Sequence, residues 1–98
     1  MIAELLQTAV SASSVAAFHD QCLSDATWPR EMPTIDEASV WRWVATNHRN
    51  NCLLWDEEDL ARRTLATDAE ITANKRAIDR YNQARNDATE RVDEFLLL

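Results

Sequence analysis

His48, Asn51, Trp55, Glu58, Asp59 and Arg62 recur at spacings of three and four residues. On an α-helix such spacing stacks side chains along one edge. A second set, Lys75, Asp79, Asn82, Asn86, Glu90 and Asp93, has the same spacing. Carboxylates one turn apart can share a hard cation such as Mg²⁺ or Mn²⁺. Glu58, Asp59 and Asp79 are the candidates for that role, and with Glu90 for proton transfer. His48 is a candidate general base or phosphate ligand. Lys75 is the candidate anion contact, and Asn82 and Asn86 are candidate orienting groups. Asn51, Trp55 and Arg62 would complete the lining. The same residues also read as a solvated helix surface. Glu58 with Arg62, and Lys75 with Asp79, are ordinary i,i+4 pairs worth roughly 0.2–0.5 kcal/mol. A single histidine is commonly structural, and Trp41, Trp43 and Trp55 are most simply core or interface fillers.

Helices must position these residues. The chain has 98 residues, no glycine and two prolines. Without glycine it is poor in the left-handed turns that hairpins of a sheet need. Nor can it carry a glycine-rich phosphate loop. The fold class is therefore all-α, a single domain over residues 1–98. A first helix is expected from Ile2 to Phe18, with Ile2, Leu5, Leu6, Ala9 and Val10 on one face. A connector from His19 to Pro33 holds both prolines, Pro29 and Pro33. A second helix is expected to begin at Thr34, where Thr34-Ile35-Asp36-Glu37 reads as a capping box. Val40, Val44, Leu54, Ala61 and Leu65 fall on its apolar side. A third helix is expected from Asp68 to the end, behind a second box, Thr67-Asp68-Ala69-Glu70. Its apolar arc is Ile71, Ile78, Tyr81, Ala88, Val92, Phe95 and Leu96. Arg76, Arg80, Gln83 and Asp87 occupy its far side.

Carried on in α-helical phase, the second and third arcs point roughly 100° apart. A short turn at Leu65–Thr67 would let both face inward as an antiparallel hairpin; one bent helix is the alternative. The hairpin pairs positions summing to about 133. That register brings Lys75 towards Glu58 and Asp59, Asp79 towards Trp55, and Asn82 and Asn86 towards Asn51 and His48. The expected result is a polar cleft between the two long helices, a common place for sites in helical bundles.

Charge narrows the partners. Seventeen acids against ten bases leave a net charge of −7, and no stretch is a basic patch. Nucleic acid and anionic membrane surfaces are therefore not expected partners. A homo-oligomer is expected, because two or three helices bury little alone. A small phosphate-bearing or metal ligand is the other candidate. Cys22 and Cys52 form no CxxC pair and are expected to be reduced thiols. The N-terminus lacks a basic n-region and carries Glu4 where a signal peptide is apolar. A cytoplasmic location is the expectation.

The stretch from Asn47 to Asp93 resembles a bacterial family known as the domain-of-unknown-function 4254 family. Its members resemble His-x-x-Asn-x-x-Leu-Trp-x-x-Glu-Asp-x-Ala-Arg, then Lys-Arg-x-Ile-Asp-x-x-Asn-Gln-x-Arg-Asn-Asp-x-x-Glu-x-x-Asp. This chain has His48, Asn51, Leu54, Trp55, Glu58, Asp59, Ala61 and Arg62, then Asp68, Lys75, Arg76, Ile78, Asp79, Asn82, Gln83, Arg85, Asn86, Asp87, Glu90 and Asp93. The resemblance covers about half the chain. It implies that the two polar stripes matter together, and it implies no activity.

A weaker likeness is to the all-α nucleotide pyrophosphohydrolases, whose Glu-Glu-x-x-Glu and Glu-x-x-Asp helices hold Mg²⁺. The counterparts here are Glu57-Glu58-Asp59 and Glu90-x-x-Asp93, with Ala61 departing from the pattern. Three readings stand: a polar metal- or phosphate-ligand site, a non-catalytic helical interaction module, and a Mg²⁺-dependent pyrophosphohydrolase-like enzyme.

Overall fold

A computed structural model describes residues 2–62 and 66–97. Four helices follow in order: α1 (Ile2–Leu5), α2 (Ala12–Leu23), α3 (Val40–Ala61) and α4 (Asp68–Leu97). The fold is all-α, with the long helices α3 and α4 packed side by side. Their contacts pair early α3 with late α4 and late α3 with early α4. Arg91 lies over the Trp43 ring at 4.9 Å, Asn47 reaches Thr89, and Asn74 reaches Glu57. The pair is thus an antiparallel hairpin in the expected register, not one bent helix. Of the turn expected at Leu65–Thr67, residue 65 lies outside the described residues.

Three element boundaries differ from expectation, each for a local reason. The first helix is broken in two. Ser11 and Ser14 form a reciprocal capping box that starts α2 afresh. α2 then runs on to Leu23, into the expected connector. The second helix begins at Val40, not at Thr34. Ile35 is buried in the core, and a non-helical segment carries it there. Asp36 then turns the chain by accepting from the Ala38 amide at 2.7 Å. Ser39 caps α3 by accepting from the Trp41 amide at 3.2 Å. Burial of one isoleucine side chain, worth about 1.5–3 kcal/mol, outweighs a cap worth about 1 kcal/mol. At α4 Thr67 caps the helix as expected: its Oγ1 accepts from the Glu70 backbone amide at 3.2 Å.

α3 buries two faces. Trp43, Asn47, Asn50, Leu54, Glu57 and Ala61, spaced by four and three, run along the side turned to α4. This is the spacing of a two-helix seam. On α4 the facing row holds Asn74, Ala77, Tyr81, Arg85, Ala88 and Val92; Asn74, Ala77 and Ala88 are buried. Alanines at these positions let the helix axes approach. The other face of α3 carries Trp41, Val44, Ala45 and His48. The layer formed by residues 2–39 covers it.

Phe18, Cys22 and Ile35 of that layer join Trp41, Val44 and Ala45 in the main apolar cluster. Ile2, Leu5, Leu6 and Val10 pack against it, as the apolar face of the first segment requires. Phe18 and Trp41 rings meet at 5.2 Å, and Trp41 Nε1 donates to the Thr8 carbonyl at 3.0 Å. Trp28 Nε1 donates to Cys52 Sγ at 3.4 Å, and Arg49 Nε to the Pro29 carbonyl at 2.8 Å. These two bonds pin the connector to α3.

The N-terminal layer reaches only part of the hairpin. The molecule measures 46 × 29 × 21 Å, and a 30-residue helix alone spans about 45 Å. Its radius of gyration of 15.2 Å exceeds the roughly 12.6 Å of a compact chain this long. Among the described residues, the contacts of the N-terminal layer on α3 run from Trp41 to Cys52, the half of the helix away from the turn.

Candidate functional site

The seam fixes where the polar stripes lie. On α3 the stripe of Asn51, Trp55, Glu58, Asp59 and Arg62 sits roughly 110° round from the seam. On α4 the stripe of Lys75, Asp79, Asn82, Asn86 and Glu90 is displaced by a similar angle. Because the helices are antiparallel, both displacements lead to the same side of the hairpin. The two stripes therefore share one flank. It is continuous with the side on which the N-terminal layer sits, and it emerges beyond that layer.

The stripes do not form an enclosed cleft between the helices. Asp59, Arg62, Lys75, Asp79, Asn86 and Glu90 are exposed, while Asn51, Glu58 and Asn82 are half-buried. Trp55 is 63% exposed, unusual for the largest apolar side chain. Arg62 Nη1 pairs with Asp59 Oδ1 at 3.3 Å, a solvated contact worth little. Gln83 and Asp87 bond each other on the far side of α4 at 2.8 Å, and Arg76 and Arg80 are exposed there.

Polar contacts that do cross between the helices come from neighbours of the expected residues. Asn47 Nδ2 donates to Thr89 Oγ1 at 2.9 Å and lies 3.5 Å from the Arg85 carbonyl. Asn51 Nδ2 donates to Asn47 Oδ1 at 3.2 Å, which holds the Asn47 amide in place. Asn74 Nδ2 donates to Glu57 Oε2 at 2.7 Å. Asn50 is buried and donates to the Thr46 carbonyl one turn back at 2.8 Å. The signal for these residues was present in the sequence: Asn47, Asn50, Leu54 and Glu57 repeat at three and four. Polar residues at such positions blur an apolar arc and hide the seam.

His48 parts company with the flank. It is buried, 8% exposed, and turned to the N-terminal layer. Its ring stacks on His19 at 3.9 Å and on Trp28 at 4.9 Å, nearly parallel to both. Burial, then the neighbouring His19 imidazole, pushes its pKa down to about 4, against a hydrogen bond to the His19 backbone that raises it. Among the described residues, nothing hydrogen-bonds to the buried Nε2 of His48. An imidazole held neutral is chemically able to accept a proton, but this one is enclosed by α2 and the connector. Trp28 and His19 were outside both sequence stripes; stacking between residues so far apart in the chain leaves no local pattern.

Among the described residues, no group of three or more His, Cys, Asp or Glu side chains is arranged to hold a metal ion. The two acidic elements of the pyrophosphohydrolase-like pattern are also apart. Glu57 sits at the level of Asn74, and Glu90 lies sixteen residues further along α4, about 24 Å.

The fold and flank define a class: an all-α protein built on an antiparallel hairpin with one polar, tryptophan-bearing side. Residues 41–98 match the family described as "Protein of unknown function (DUF4254)", and the chain belongs to that family. The match starts at the second residue of α3 and takes in the described hairpin, leaving the N-terminal layer outside it. No curated protein and no solved structure matches the chain. Among the described residues, no helix is long and apolar enough to cross a membrane.

Proposed function

We propose that the chain is a helical interaction module whose shared flank docks on a second copy of itself. One observation carries this reading: Trp55 stands 63% exposed among the charged stripe residues, on the part of the hairpin beyond the N-terminal layer. Aromatic side chains set in a polar surround are the usual anchors of interfaces. The flank carries both signs of charge, with Glu58, Asp59, Asp79 and Glu90 beside Arg62 and Lys75. A two-fold arrangement can therefore pair acids of one copy with bases of the other. It would also give the long helices the further layer that a two-helix layer lacks.

The enzymatic reading is tied to the same association. Glu58, Asp59, Asp79 and Glu90 would act as cation or proton groups only if a partner copy brought separate acids together. Asn51, Asn82 and Asn86 would then orient a ligand, and Lys75 would meet an anionic one. Mg²⁺ or Mn²⁺ would be the cofactor of that arrangement. What supports it is the common flank of Glu58, Asp59 and Asp79.

The test is acrylamide quenching of tryptophan fluorescence across a concentration series, with Trp55→Phe as the blank. Association predicts that the Trp55 contribution becomes shielded as concentration rises. Quenching that does not change up to the highest soluble concentration contradicts the module reading. Repeating the series with Mg²⁺ or Mn²⁺ tests the enzymatic reading, which requires the cation to strengthen the shielding.

A further inference from the structure

Residues 2–39 lie outside the family match, yet they cover a face of α3 that includes a buried histidine. The cover is held by the apolar cluster around Phe18, Ile35 and Trp41, and at its polar points by the Trp41–Thr8, Arg42–Ile35 and Arg49–Pro29 hydrogen bonds, the Thr46–Met32 and Trp28–Cys52 bonds and the His19–His48–Trp28 stack. A cavity of about 220 Å³ lies beside the stack, at the junction of the layer with α3 and α4. Its walls are mainly valines, and Asn47 and Thr89 already bond each other there. It offers little to fix a ligand, but it leaves the layer incompletely packed against the hairpin.

We propose that the stacked His19–His48 pair is an acid-sensitive latch that holds the N-terminal layer on the hairpin. Two imidazoles with ring centres 3.9 Å apart tolerate at most one charge. The His48 ring has His19 against it and Trp28 at 4.9 Å, and among the described residues its Nε2 finds no partner to stabilise a proton. Protonation therefore favours separating the rings, and separating them means lifting α2 and the connector from α3.

The surrounding groups do not cancel this. On α2, Asp20 acts on His19 and raises its pKa, but burial is the larger effect and lowers it. Cys22 is also on α2; its thiol is pushed up to about 11 by burial, then by Cys52 and Asp25, so it stays neutral in mild acid. On α3, Cys52 accepts from Trp28, and the Arg49 side chain is bonded to the connector. α4 contributes Thr89 and Val92 to the cavity beside His19, and neither titrates. The sign is set by His48. Its pKa is near 6.5 when released and about 4 when stacked. The latch is thus fully closed above pH 6.5 and weakens as pH falls from 6.5 towards 4.

The test is amide hydrogen exchange followed residue by residue from pH 7.5 to 4.5, expressed as protection factors. Protection of the α2 amides should fall on the order of tenfold or more, while α4 amides next to Ala77 and Ala88 keep theirs. His48→Phe keeps a ring in the stack and removes the proton site, so its α2 protection should not depend on pH. Should that variant fail to fold, His19→Phe removes the second imidazole and should reduce the pH dependence. The latch is overturned if α2 and α4 lose protection together, or if the variants lose α2 protection as the wild type does. It is equally overturned if the His48 ring titrates near pH 6.5 with α2 still protected.

Discussion

Asn47 and Thr89 meet across the hairpin, the Asn47 amide donating to the Thr89 hydroxyl at 2.9 Å from forty-two residues away. Thr89 Oγ1 in turn donates to the Arg85 carbonyl at 3.0 Å, and Asn51 holds the other end of the Asn47 amide. A polar link at a seam position is a register device before it is a source of stability. Asn47→Leu should therefore change unfolding free energy by no more than about 1 kcal/mol, since a partly exposed hydrogen bond contributes about that much. The same change should lower the steepness of the urea transition by allowing alternative pairings. Urea unfolding monitored by circular dichroism reads both quantities.

Glu57 and Glu58 are adjacent in sequence and differ in role. Glu57 accepts from Asn74 across the seam at 2.7 Å, whereas Glu58 belongs to the flank. Glu57→Ala should cost about 1.5–3 kcal/mol, the range for a hydrogen bond to a charged group. Glu58→Ala should cost under about 0.5 kcal/mol, as a surface change. Equal costs in thermal unfolding would put the seam in the wrong phase.

The start of α3 can be checked by caps. Ser39→Ala removes the acceptor of the Trp41 amide and should destabilise by about 1 kcal/mol. Thr34→Ala, at an exposed position of the non-helical segment before α3, should leave the unfolding midpoint within experimental error.

The two thiols should react at different rates. Cys22 is fully buried, with its pKa pushed up to about 11 by burial first, so very little thiolate exists at pH 8. Cys52 is only partly buried. Iodoacetamide at pH 8 should modify Cys52 in the native protein and reach Cys22 only after denaturant is added. Peptide mass spectrometry of the alkylated protein distinguishes the two.

The hairpin was legible because its cues are local or periodic. The box at Thr67, the two apolar arcs and their phase difference led to α4 and to the antiparallel register. The break between α1 and α2 was not legible, because Ser14 stands where a capping box usually has Glu or Gln. Thr34 misled because its box is complete as a pattern, while the burial of Ile35 is a tertiary effect. The stripes were visible as two separate sets, but their common flank depends on the seam, where Asn47, Asn50 and Asn74 interrupt the apolar row. His48 fell into the flank stripe by spacing alone. Its partners His19 and Trp28 come from segments whose approach no periodicity reports.

Sedimentation equilibrium of the wild-type chain beside Trp55→Glu tests the central proposal most directly. A concentration-dependent dimer is expected in the wild type, with a dissociation constant raised at least tenfold in the variant and helicity unchanged. Trp55 is exposed, so the substitution should not disturb the monomer's packing. A wild-type chain that stays monomeric, or a dimer that Trp55→Glu leaves as tight as before, would contradict the proposal.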